Sequence, residues 1–175
     1  MKNLVYLITG IIILLFTQAC QDKKGRNYNQ ARDDQDGIEF IKSGIEGGLT
    51  EIKASGLAIT NSNNHKVIGL AKTMIDDHTK TGEELKQLET DKKITETDTI
   101  SSAHQQMIRE LSKKSGAAFD KMYLQMMVTN HEQAVKLFTI ASHNSDNKIK
   151  KVASQNLPAI KMHLDSANAI CISLK

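Results

Sequence analysis

Three histidines carry most of the chemistry this sequence offers. His78, His131 and His163 each fall near the middle of a long amphipathic stretch, on its apolar stripe. Burying an imidazole is costly unless both ring nitrogens find partners. A single such histidine reads as a satisfied core residue. Three on separate stripes read as a metal site, since helical bundles build metal sites from side chains on facing helices. The other histidines, His65, His104 and His143, lie at helix ends or in connections and read as surface residues.

The neighbours narrow the metal. Met74 lies four residues before His78 and Met127 four before His131, so each thioether shares a face with an imidazole. Thioether with imidazole suits Cu(I); imidazole with carboxylate suits Zn. Glu51, beside the first stripe, is the best carboxylate candidate from the first helix. The proposed ligands are therefore His78, His131, His163, Met74, Met127 and Glu51. Asp77 is a candidate acceptor that orients the ring of its neighbour His78, and Asp120, on its own stripe, is a second supporting carboxylate. Bland readings stand beside these. Met at helical spacing commonly fills core gaps, and Asp120 suits the first turn of a helix through its dipole. No histidine has Glu three residues before it, which disfavours a di-iron centre. Nucleophilic catalysis lacks support: there is no Gly-x-Ser-x-Gly, no Cys–His pairing and no phosphate-binding glycine loop. The reading favours a binding protein over an enzyme.

Helices must position these residues. Asp120, Leu124, Met127, His131, Ala134, Phe138 and Ala141 follow alternating steps of four and three, one stripe of a helix running from Gly116 to His143. The same rhythm runs from Ile38 to Ile59, from Val67 to Leu88 and from Ile149 to Leu174. Asp36 is a plausible cap for the first helix. Ser101 to Lys113 forms a short extra helix in a crossing connection, and Pro158 predicts a bend or local break in the last helix. One Pro among 175 residues leaves little room for a turn-rich β fold. These segments predict an all-α, up-down-up-down four-helix bundle, ferritin-like, with one short extra helix between helices 2 and 3. One difficulty is visible in advance. From the turn near Asn144, His131 is 13 residues back and His163 is 19 forward. With straight, aligned helices this offsets them by about 9 Å along the axis.

The N-terminus reads as an export signal. Residues 1–19 join Lys2 to an apolar run from Leu4 to Phe16 and end on Ala19. Ala19-Cys20 resembles the end of a bacterial lipobox, without its usual Leu at the third position before Cys, and makes Cys20 the expected lipidation site. Gln21 in place of Asp favours the outer over the inner membrane. Residues 20–36 are polar and read as a tether, leaving 37–175 as the bundle domain. The net charge of +3 is dispersed, which argues against nucleic-acid binding.

Together, Asp76-Asp77-His78, the run from Ser115 to Asp120 with Tyr123, then His131, then Leu157-Pro158 with His163, carry a family likeness. From about Ile38 to Ile170 the chain resembles a bacterial family of exported "outer membrane protein" chains, a domain of unknown function with a ferritin-like bundle. It departs at Asn130, where the family more often has an acidic residue. The resemblance implies fold and export and supplies no activity. The function expected is that of a lipid-anchored bundle in the envelope of a Gram-negative bacterium, periplasmic or outer-membrane, holding copper or zinc on its core histidines. The alternative is a metal-free structural or envelope-stress interaction module. The membrane, through the anchor, is the one partner expected.

Overall fold

A computed structural model describes residues 21–95 and 99–174, with side chains from residue 30 onward. The signal segment and Cys20 lie outside the described residues. Among the described residues there are five helices and no strand: α1 (Gln21–Asn61), α2 (His65–Asp91), α3 (Ser102–Ser112), α4 (Gly116–Ala141) and α5 (Asn147–Ser173). The expected four long helices and one short extra helix are all present. No described helix is long and apolar enough to cross a membrane.

Local chemistry sets most of the boundaries. The Asn64 side chain accepts from the Lys66 N–H, Ser101 from His104, and Asp146 from Lys148 and Ile149, satisfying N–H groups that a helix start leaves free. Gly116 opens α4 at φ +54°, a left-handed conformation that glycine tolerates. Two details differ from expectation. α1 begins at Gln21, so Asp36 lies inside it rather than capping it. The polar residues before Ile38 show no apolar period, and periodicity is blind to such a helix. α5 runs through Pro158 without interruption. The bundle proper is a compact unit spanning Asp36–Lys175.

The core has two apolar clusters. One joins Ala54 and Ala58 of α1, Met74 of α2, Phe119 and Met127 of α4, and Ala167 of α5. The other joins Phe40 and Ile45 of α1, Leu85 of α2, Phe138 of α4, and Ile160 of α5. Phe40 and Phe138 meet edge to face with centroids 4.9 Å apart, a favourable aromatic geometry.

The clusters also give the helix directions. The first holds the end of α1, the start of α2, the start of α4 and the end of α5. The second holds the opposite ends. Thus α1 and α5 run one way, and α2 and α4 the other. Strict up-down alternation holds across the short turns but not across the middle connection, where α3 and its flanks carry the chain from one end of the bundle to the other. A single long crossover of this kind is typical of ferritin-like bundles.

Candidate metal centre

Between the two apolar clusters the stripes turn polar. On α2, His78 lies between Met74 and Leu85; on α4, His131 lies between Met127 and Phe138; on α5, His163 lies between Ile160 and Ala167. Glu51 occupies the same interval on α1, between Ile45 and Ala54, and is buried. One helical stripe per element therefore delivers one polar layer across the bundle.

The imidazoles meet there. Ring centroids are 5.5 Å apart for His78–His131, 5.5 Å for His78–His163 and 5.3 Å for His131–His163. One ring nitrogen from each lies within 4.8 Å of the others. The expected axial offset is bridged by side-chain direction. A helical Cα–Cβ bond tilts toward its own N-terminus. α4 and α5 are antiparallel, so His131 leans away from their shared turn and His163 leans toward it. Since His163 starts farther from that turn, the two leans converge.

Hydrogen bonds fix which nitrogens are free. His131 Nδ1 lies 3.0 Å from the Met127 carbonyl oxygen, which only accepts, so Nδ1 carries the proton. His163 Nε2 lies 2.8 Å from Asp77 Oδ2 and donates to it by the same logic. The remaining nitrogens, His131 Nε2 and His163 Nδ1, face each other at 3.3 Å. In neutral rings both are lone pairs. Burial pushes both imidazoles below their ordinary pKa; Glu51 opposes this at His131, and Asp77 opposes it at His163. They are neutral near pH 7, and two lone pairs converge without a proton between them.

His78 and Glu51 form the charged part of the layer. His78 Nε2 lies 2.7 Å from Glu51 Oε2. The contact is short but poorly aligned, and His78 Nε2 has no hydrogen-bond partner among the described residues. Burial pushes His78 down, but Glu51 and Asp77 outweigh it and raise the pKa. Burial pushes Glu51 up, but His78, His131 and His163 together hold it below the usual carboxylate range. Glu51 Oε1 also lies 3.3 Å from His131 Nδ1. One level out, Ser55 and the Tyr123 hydroxyl are 2.9 Å apart in the core.

Other expected site residues lie elsewhere. Met74 and Met127 are buried within an apolar cluster, and Met127 serves the site through its carbonyl. Asp77 supports His163 on a different helix rather than its sequence neighbour. Asp120 is buried, and its Oδ1 has no hydrogen-bond partner among the described residues. His104, expected at the surface, is half-buried and pairs through Nδ1 with Glu46 Oε1 at 2.8 Å. That carboxylate also accepts from the Ser101 N–H at 2.8 Å, fastening α3 to α1. Only a Glu on one helix and a His on a distant one signalled this pair, and nothing in the sequence joins them.

A family model described as a domain of unknown function, DUF4142, matches residues 23–170. The chain belongs to this family. The DUF4142 match reaches into all five helices and includes every residue of the histidine layer. No curated protein matches the chain. Among solved structures, this DUF4142 chain is similar to a DUF305 fragment from Deinococcus radiodurans, with a TM-score of 0.69 at 12% identity. The alignment covers 78% of this chain and 95% of the other. At that identity the likeness concerns the helical fold.

Proposed function

We propose that this domain binds one transition-metal ion through His78, His131 and His163, with Glu51 beside them, and that it does so without catalysing a reaction. The observation that carries this reading is the pair of converging lone pairs on His131 and His163, 3.3 Å apart. Two nitrogens each about 2.0–2.1 Å from a tetrahedral ion stand about 3.3 Å from one another. Their outer nitrogens donate to a carbonyl and a carboxylate, the usual support for metal-bound histidine. Imidazole with carboxylate favours Zn(II) or Cu(II). Met74 and Met127 are buried in the apolar cluster, so the ligand set favoured is imidazole with carboxylate rather than thioether.

An envelope setting is part of this proposal, and the export-signal pattern of residues 1–19 and the lipobox-like Ala19-Cys20 support it. The second reading, a metal-free interaction module, draws on the Glu51–His78 pair, which balances charge in the layer without an ion. Elemental analysis of untagged protein decides between them. The expected result is about one equivalent of zinc or copper, reduced more than about 100-fold in affinity by His131→Gln, since even a supporting residue is worth about 10–100-fold. Protein that takes up neither metal, and gains no thermal stability from either, overturns the metal reading.

A further inference from the structure

Two cavities reach the histidine layer, and their charges differ. One, of about 310 Å³, is lined by Glu46, Glu51, His78 and His104, with no Lys or Arg among its lining residues. The other also touches His78, but Glu51 does not line it, and its Glu83 is offset by Lys86. A cleft lined by one sign of charge concentrates ions of the opposite sign. The first cavity therefore suits a cation.

Its acidic groups form two Glu–His pairs at different depths. Side-chain exposure is 24% at both Glu46 and His104, 9% at His78 and 4% at Glu51. Glu46 lies five residues before Glu51 on α1, about 7.5 Å along the helix axis. The cavity thus leads from a half-buried pair to a buried one. The outer pair keeps capacity for an ion. The hydrogen bonds from Thr50, Ser101 and His104 all go to Glu46 Oε1, and none reaches Oε2. His104 donates through Nδ1, so in the neutral ring Nε2 holds a lone pair.

The wall is built to stay open. Gly47 and Gly48 of α1 and Gly82 of α2 line the cavity from helix interiors, where glycine costs stability. A Cβ on Gly47 or Gly82 would meet nothing within 4 Å, and one on Gly48 only the His78 carbonyl oxygen, at 3.9 Å. Packing does not require these glycines. What they leave is space beside the Glu–His pairs.

Resting on the metal reading above, we propose that this cavity is the route by which a divalent metal cation enters and leaves the histidine layer, with Glu46 and His104 as the pair that meets it first. The ion exchanges water for these ligands in turn, and no covalent bond is made or broken.

The test follows Co(II), whose visible absorption reports its ligands, by stopped flow into the mature chain and out again into excess EDTA. Glu46→Gln keeps an oxygen for the Ser101 N–H and removes the charge. It is expected to slow uptake and release together by about 10-fold at low salt, and by less as salt is raised. Gly47→Leu fills open space with a better helix former, and its side chain leans along α1 away from Glu51. It too is expected to slow both directions. Equilibrium cobalt affinity stays at the parent's value in both, because a path residue changes rates and not the end states. Glu110→Gln, the same loss of charge on an exposed residue that does not line the cavity, is expected to match the parent. Cobalt exchange at the parent's rate in either path variant overturns this inference alone. So does an equal slowing in Glu110→Gln, or a loss of equilibrium affinity in Glu46→Gln, which would make Glu46 part of the final site. Failure to bind cobalt overturns it together with the metal reading.

Discussion

At the scale of residues, the layer assigns its three histidines different protonation states. Burial first, then the neighbouring carboxylates, leaves His131 and His163 below the ordinary value of 6.5 and His78 above it. NMR titration of the metal-free protein is expected to show two of these imidazoles titrating below 6.5 and one above. Three values clustered at 6.5 would contradict the hydrogen-bond pattern. The stability consequence has opposite signs. Below pH 6.5 the unfolded chain protonates at positions 131 and 163 before the folded protein does, so their contribution falls as pH falls. His78 adds stability that is full below 6.5 and is lost as pH rises through its higher folded pKa. Asp77 gives a second residue-level prediction. Asp77→Asn removes the charged acceptor of His163, and metal affinity is expected to drop by about 10–100-fold by isothermal titration, with little change in unfolding midpoint. An unchanged affinity would mean that His163 needs no orienting carboxylate. The histidines stand out in the sequence as polar residues on apolar stripes, and Glu51 as the carboxylate that flanks the first stripe. Asp77 was harder to assign. Its partner lies across a helix interface, where sequence spacing carries no distance.

At the scale of elements, α1 carries glycines with unlike surroundings. A Cβ on Gly44 would meet Leu85 Cδ1 at 2.8 Å, inside a buried cluster, whereas Gly56 has nothing within 4 Å. Gly56 is exposed in a helix interior, where glycine costs about 1 kcal/mol relative to alanine. Gly56→Ala is therefore expected to stabilise by about 1 kcal/mol in urea unfolding. Gly44→Ala is expected to gain less or to destabilise, because Leu85 must move within a packed cluster. Equal gains at both positions would show that the helix approach at Gly44 is not constraining. The sequence does not tell the two glycines apart, since the difference lies in the neighbouring helix. Most helix starts are set by nearby residues. Asn64, Ser101 and Asp146 accept hydrogen bonds within their own segments, and such short-range chemistry is written locally. The early start of α1 was not legible, because a helix without an apolar stripe leaves no period to read.

At the scale of the molecule, one polar layer joins all four long helices, so an ion bound there stabilises the whole bundle. With zinc at about 100 times its dissociation constant, the unfolding free energy is expected to rise by about 2.7 kcal/mol, measured by chemical denaturation with and without metal. No change at saturating zinc would place any bound ion outside the folded core. The anchor is tested separately. Cys20→Ser is expected to move the protein from the membrane to the soluble fraction of cells, and unchanged fractionation would exclude lipidation.

The sequence by itself determined that the chain is all-α, which face of each helix is apolar, and where each face carries a histidine or Glu51. These are properties of period and local capping, and each is contained within one segment. Only the tertiary structure decided that the histidines meet, because the convergence of His131 and His163 depends on the opposed tilt of side chains on antiparallel helices. It also decided that α2 and α4 run in the same direction, and that Asp77 serves His163 rather than His78. Those outcomes depend on the path of one long connection and on contacts between residues as far apart as positions 77 and 163, which no periodicity records.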